Sequence, residues 1–108
     1  MEIFERYESL TKKLNRTVPF PAYPTKNLAL FLREKGKAVS LHTEVMIEEV
    51  FNSGDLSGIM CEFKFDDDEI FVCGLVYINV KPDHPLFKEI QKYKKKRIRR
   101  LSRNFPFS

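Results

Sequence analysis

Two apolar runs joined by an acidic turn constrain this chain more than any other feature. Ile59-Met60-Cys61-Glu62-Phe63-Lys64-Phe65 leads into Asp66-Asp67-Asp68-Glu69, and the run Ile70 to Val80 follows. In the first run Ile59, Cys61, Phe63 and Phe65 alternate with Met60, Glu62 and Lys64, which is the period of a strand with one buried face. The second run is apolar on both faces, as in a strand covered on both sides. The pair reads as a β-hairpin that carries most of the core. One side would be covered by helices and the other by the N-terminal segment or a second subunit, so self-association is expected.

The flanks supply the helices. From Glu2 to Arg16, the residues Ile3, Tyr7, Leu10 and Leu14 recur at helical spacing, with acids early and Lys12, Lys13 and Arg16 late, which complements the helix dipole. Residues 17–24 hold Pro19, Pro21 and Pro24 and read as an extended connector, because proline lacks the N–H that a helix interior needs. Thr25 is placed to cap a second helix running to about Lys35, with Leu28, Phe31 and Leu32 inward and Gly36 as the turn-off point.

Ala38 to Phe51 satisfies two periods. As a strand it places Val39, Leu41, Thr43, Val45, Ile47 and Phe51 on one face, opposite Ser40, His42, Glu44 and Glu48. As a helix capped by Ser40 or Thr43, it aligns Val45, Met46, Glu49 and Val50. The β-branched residues among 44–51 favour the strand. Asp83 or His84 then caps a last helix with Pro85 in its first turn. Leu86, Phe87, Ile90, Tyr93, Ile98 and Leu101 form its apolar stripe.

The expected fold is therefore α+β. A small antiparallel three-stranded sheet, a meander around the central hairpin, follows two N-terminal helices and precedes one basic C-terminal helix. At 108 residues the chain has the length of a single domain. It divides into helix 1–16, connector 17–24, an α-β-β-β-α core over 25–102 and a tail 103–108. From residue 25 the order helix, three strands, helix resembles the double-stranded RNA-binding domain in topology alone. The last helix opens with Asp83-His84-Pro85-Leu86 where that family has a lysine cluster, so no function follows from the topology.

Charge is the most informative functional signal. The net charge is +4. Residues 44–69 carry nine acids and one base, Lys64, whereas residues 81–108 carry ten bases and two acids, Asp83 and Glu89. Candidate polyanion-binding residues are Lys92, Lys94, Lys95, Lys96, Arg97, Arg99, Arg100 and Arg103, with Tyr93 and Phe105 placed to stack on bases. The partner would be a nucleic acid or an acidic protein surface. A winged-helix reading fails, because its recognition helix over 41–52 would carry Glu44, Glu48 and Glu49 and no base.

Catalytic signals are thin. His42 with Glu44 and Glu48 is the one base-and-orienter arrangement the pattern suggests. No nucleophile motif, Gly-rich phosphate loop or metal-ligand spacing accompanies it, so the reading leans away from an enzyme, with no cofactor and no metal. The acidic turn 66–69 lacks the glycine and downstream Glu of an EF-hand loop. Cys61 and Cys73 lie on adjacent strands. A four-residue turn pairs Phe65 with Ile70 and sets Cys61 opposite Gly74; a three-residue turn sets it opposite Cys73. The four-residue register gives the cleaner apolar face and implies buried, inert thiols. No run approaches the roughly 20 apolar residues of a membrane span, and Met1-Glu2-Ile3-Phe4-Glu5 lacks a basic, apolar leader, so a cytoplasmic location is expected.

Overall fold

The computed structural model describes residues 2–64 and 68–104, without the side chains of residues 2–6, 55–56 and 100–104. The elements in order are α1 (Glu2–Asn15), β1 (Phe20–Pro24), α2 (Lys26–Glu34), β2 (Val45–Asn52), the single turn α3 (Gly54–Ser57), β3 (Ile59–Lys64), β4 (Ile70–Gly74), a 3-10 turn (Leu75–Tyr77), β5 (Ile78–Val80) and α4 (Phe87–Asn104). The fold is α+β, but its sheet has five antiparallel strands in the order β4-β3-β2-β1-β5, not three.

The expectation fails where β1 and β5 extend one end of the sheet, and because the run Ile70 to Val80 is not one strand but β4 and β5, split by the 3-10 turn. The proline-rich connector is itself β1, seated between β2 and β5. The arrangement is thus not two helices followed by a three-stranded meander, because a strand of the sheet lies between α1 and α2. Phe20, Ala22 and Pro24 alternate inward. Prolines survive here because the register is staggered. Phe20 to Ala22 pair with β2, Ala22 to Pro24 pair with β5, and only Ala22 has a partner on both sides. Neither Pro21 nor Pro24 must serve two ladders at once. The resemblance to the double-stranded RNA-binding domain ends with this fourth and fifth strand.

Three residues separate β4 from β5, which lie at opposite edges of the sheet. The steps from Gly74 to Ile78 reach at most about 14 Å. A flat five-stranded sheet spans about 19 Å from edge to edge. The sheet must therefore curl until its two edges approach one another. A bulge between Ile47 and Glu49 assists the bend. There the Asn15 side chain replaces strand partners: its Oδ1 accepts the Val50 N–H at 2.9 Å and its amide donates to the Val50 carbonyl.

One sheet face is buried. Ala22, Ile47, Val50, Ile59, Cys61, Phe63 and Ile78 join Leu10 and Leu14 of α1, Leu28 and Leu32 of α2, and Ile90 and Tyr93 of α4 in one core. Each fully buried Leu or Ile contributes about 1.5–3 kcal/mol. Tyr7 meets Tyr93 edge-on at 5.3 Å and Lys13 meets Glu89 at 3.1 Å, so α1 and α4 run antiparallel. The other face carries Met46, Glu49, Glu62, Lys64, Ile70 and Val72, exposed or half-exposed. The second apolar run is not covered on both sides.

The hairpin register also differs from expectation. Lys64 pairs with Ile70 and Cys61 with Cys73. A one-residue slip exchanges the faces of a strand. The slip that occurs puts Phe71 inward, stacked on Phe63 at 5.8 Å, and leaves Ile70 and Val72 outward. The larger ring takes the core position. Phe65, Asp66 and Asp67 of the acidic turn lie outside the described residues.

Strand character begins at Val45. Residues 38–44 form a loop and turn in which Ser40 and Thr43 bond each other's backbone and side chains. Helix α2 ends as its sequence requires. Gly36 has φ +86, its N–H reaches the Arg33 carbonyl, and the Lys37 N–H reaches Leu32, which is a Schellman closure. Phe31, expected inward, is 47% exposed, and Ala29 takes its place in the core.

Candidate polyanion-binding face

Helix α4 sorts its bases by angle. At 100° per residue, Lys88, Lys92, Lys95, Lys96 and Arg99 fall within one arc of about 100°. All five are exposed. Tyr93 and Arg97 point the opposite way and are buried, and Lys94 is half-buried. The row from Lys88 to Arg99 extends about 16 Å. The one acid of α4, Glu89, is engaged by Lys13 of α1. Arg103 continues the row by its spacing, but its side chain and that of Arg100 lie outside the described residues, as does Phe105.

The structure therefore divides the eight bases that the sequence grouped together. Lys92, Lys95, Lys96 and Arg99 share the solvent face. Lys94 is spent on the fold: its Nζ donates to the Ile78 carbonyl at 2.7 Å and to Asn79 Oδ1 at 2.8 Å. Burial pushes its pKa down. Arg97 is 4% exposed and lies against Gly58. Lys88, which belongs to the face, was missed because charge density, not helical angle, singled out 94–100.

Tyr93 does not stack on a ligand. Its hydroxyl accepts the Ile59 N–H at 2.9 Å in the core, and burial raises its pKa. The exposed row consequently holds cations, with Glu89 and Gln91 at its borders and no described aromatic. Such a face offers charge to a partner and no described ring on which a base could stack.

The other sequence candidates are dispersed. His42 stands in an exposed turn, its N–H donating to Ser40 Oγ, and not on the strand that carries Glu48. Glu44 pairs with Lys81 at 3.5 Å and accepts from the Tyr23 hydroxyl. Cys61 and Cys73 are buried opposite one another, and desolvation raises both thiols, Cys73 to about 12. Among the described residues no group of His, Cys, Asp and Glu is placed to hold a metal ion, and no helix is long and apolar enough to cross a membrane.

His84 has a structural role. Its Nδ1 accepts the Leu86 N–H at 3.0 Å one turn ahead of α4, and its Nε2 lies 3.2 Å from Thr17 Oγ1. Comparison with protein-family models, curated proteins and solved structures finds no match, so the reading of this face rests on its own chemistry.

Proposed function

We propose that this chain is a non-catalytic binding module that lays the exposed face of α4 along the phosphate backbone of a nucleic acid. The observation that carries the reading is the row Lys88, Lys92, Lys95, Lys96 and Arg99, solvent-facing, with the one bordering carboxylate, Glu89, held by Lys13.

Energetics support it. Five pairs in the row stand three or four residues apart: 88/92, 92/95, 92/96, 95/99 and 96/99. Like charges at these spacings cost a helix about 0.2–0.5 kcal/mol per pair. A polyanion relieves that repulsion and releases its own counterions in binding. With no described aromatic on the face, binding draws on charge and not on base stacking.

Fluorescence anisotropy with labelled single- and double-stranded oligonucleotides, at low and at physiological salt, tests the proposal. Expected is a log–log salt slope of about −4 and loss of binding when Lys92, Lys95, Lys96 and Arg99 are all changed to Gln. Unchanged affinity in that variant, with its circular dichroism intact, overturns it. Equal competition by polyglutamate would transfer the face to an acidic protein surface.

A further inference from the structure

The two edges of the sheet are treated differently. β5 is three residues long and is followed by Lys81-Pro82, and Lys94 occupies the carbonyl of Ile78. These are the devices that stop a strand edge from pairing further. β4 has none of them within its own residues, although Lys37 reaches its start, pairing with Glu69 at 2.9 Å and lying 5.8 Å from the centre of the Phe71 ring. Ile70-Phe71-Val72-Cys73-Gly74 contains no charge and no proline, and it pairs with β3 alone. Ile70 is 54% and Val72 46% exposed on its outer face. On its inner side a groove of about 440 Å³ separates β4 from α2, walled by Leu28, Phe31, Phe71 and Tyr77.

We propose that β4 pairs antiparallel with β4 of a second copy, joining two curled sheets across a two-fold axis at Val72. An isologous contact requires a strand that complements itself. β4 does so: a two-fold at Val72 sets Ile70 opposite Gly74 and brings the two Val72 side chains together on the open face. It also brings unlike charges together. Asp68 and Glu69 of one copy come alongside Val76 and Leu75 of the other. The next residue, Tyr77, has its carbonyl bound by both the N–H and the hydroxyl of Thr25, immediately before the exposed Lys26. Asp68 thus meets the start of the other copy's α2, while Glu69 stays paired with Lys37 of its own chain, and the symmetry makes this contact twice. The groove beside Phe31 receives inward side chains of the added strand, as in strand-addition sites. This inference is independent of the basic face on α4.

Sedimentation velocity across a hundredfold concentration range tests it, with Val72→Lys and Lys26→Asp as variants. Both positions are exposed, so the fold should survive, and circular dichroism checks this. Expected is a dimer in the parent, a monomer in Val72→Lys, and a dimer weakened about tenfold in Lys26→Asp. Adding Asp68→Lys to Lys26→Asp should restore most of that loss. A parent that remains monomeric at the highest concentration overturns the proposal. So does a dimer that persists unchanged in folded Val72→Lys, which would place the contact elsewhere.

Discussion

The Tyr93 hydroxyl accepts the backbone N–H of Ile59 at 2.9 Å, which ties the middle of α4 to the first residue of β3. Gly58 makes the approach possible. Its φ is +71, and a Cβ there would collide with the Tyr93 hydroxyl and press on the Arg97 guanidinium. Tyr93→Phe leaves the buried Ile59 N–H without a partner and should cost about 1–3 kcal/mol in urea unfolding. Gly58→Ala adds backbone strain to a clash and should cost at least as much. If both variants unfold at the parent's midpoint, the tie between α4 and β3 is not a determinant of stability.

Asn15 gives the same kind of test at the bulge. It supplies both hydrogen bonds of Val50 that the strand ladder does not. Asn15→Ala should lower stability by about 1–2 kcal/mol. Asn15→Asp keeps the acceptor but sets a carboxylate oxygen against the Val50 carbonyl oxygen, so a loss at least as large is expected.

The turn at His84 should make stability depend on pH. Burial lowers its pKa from the ordinary 6.5, outweighing the opposite pull of Asp83. A protonated ring also cannot accept the Leu86 N–H through Nδ1. With the folded value depressed, the unfolded chain binds the proton more readily in this range. The contribution is therefore present above pH 6.5 and declines as pH falls through 6.5 and then through the folded value. His84→Gln should flatten the part of a Tm-against-pH curve between about pH 7 and pH 5 that this group causes. An unchanged curve would assign that slope to the carboxylates.

The thiols should be silent in the folded protein. With Cys73 near 12, its thiolate fraction at pH 8 falls about a thousandfold below that of a thiol at 9.0. Alkylation by iodoacetamide at pH 8 should be negligible until urea unfolds the chain, and rapid afterwards. Labelling in native buffer at the denatured rate would mean that β4 opens readily.

Local chemistry was legible wherever a residue's role depended on near neighbours. Gly36 closes α2, and Ile59 to Lys64 and Ile70 to Gly74 are adjacent strands; but the second run ends at Gly74, not Val80, and α4 begins at Phe87, so neither Asp83 nor His84 is its N-cap and Pro85 precedes it. The basic helix was legible as a helix, but which of its bases face solvent needed the angle between Lys94 and Lys95, one turned to Ile78 and the other to water. Tyr93 looked like a stacking residue because it stands in a basic run. Its partner, the Ile59 N–H, is 34 residues away, and no local pattern announces it.

The sequence by itself determined that this chain builds α-helices around an antiparallel sheet and that its charge is split between an acidic middle and a basic end. Those properties follow from period and composition, which act over a few residues. Tertiary structure decided that a proline-rich segment is an interior strand, that Cys61 faces Cys73, and that Lys94 and Arg97 leave the basic face. The facing of the cysteines depends on which of two compatible registers buries the larger side chain, and Phe71 displaces Ile70 from the core. That comparison is made against the assembled core, where packing, and not propensity, sets the energy.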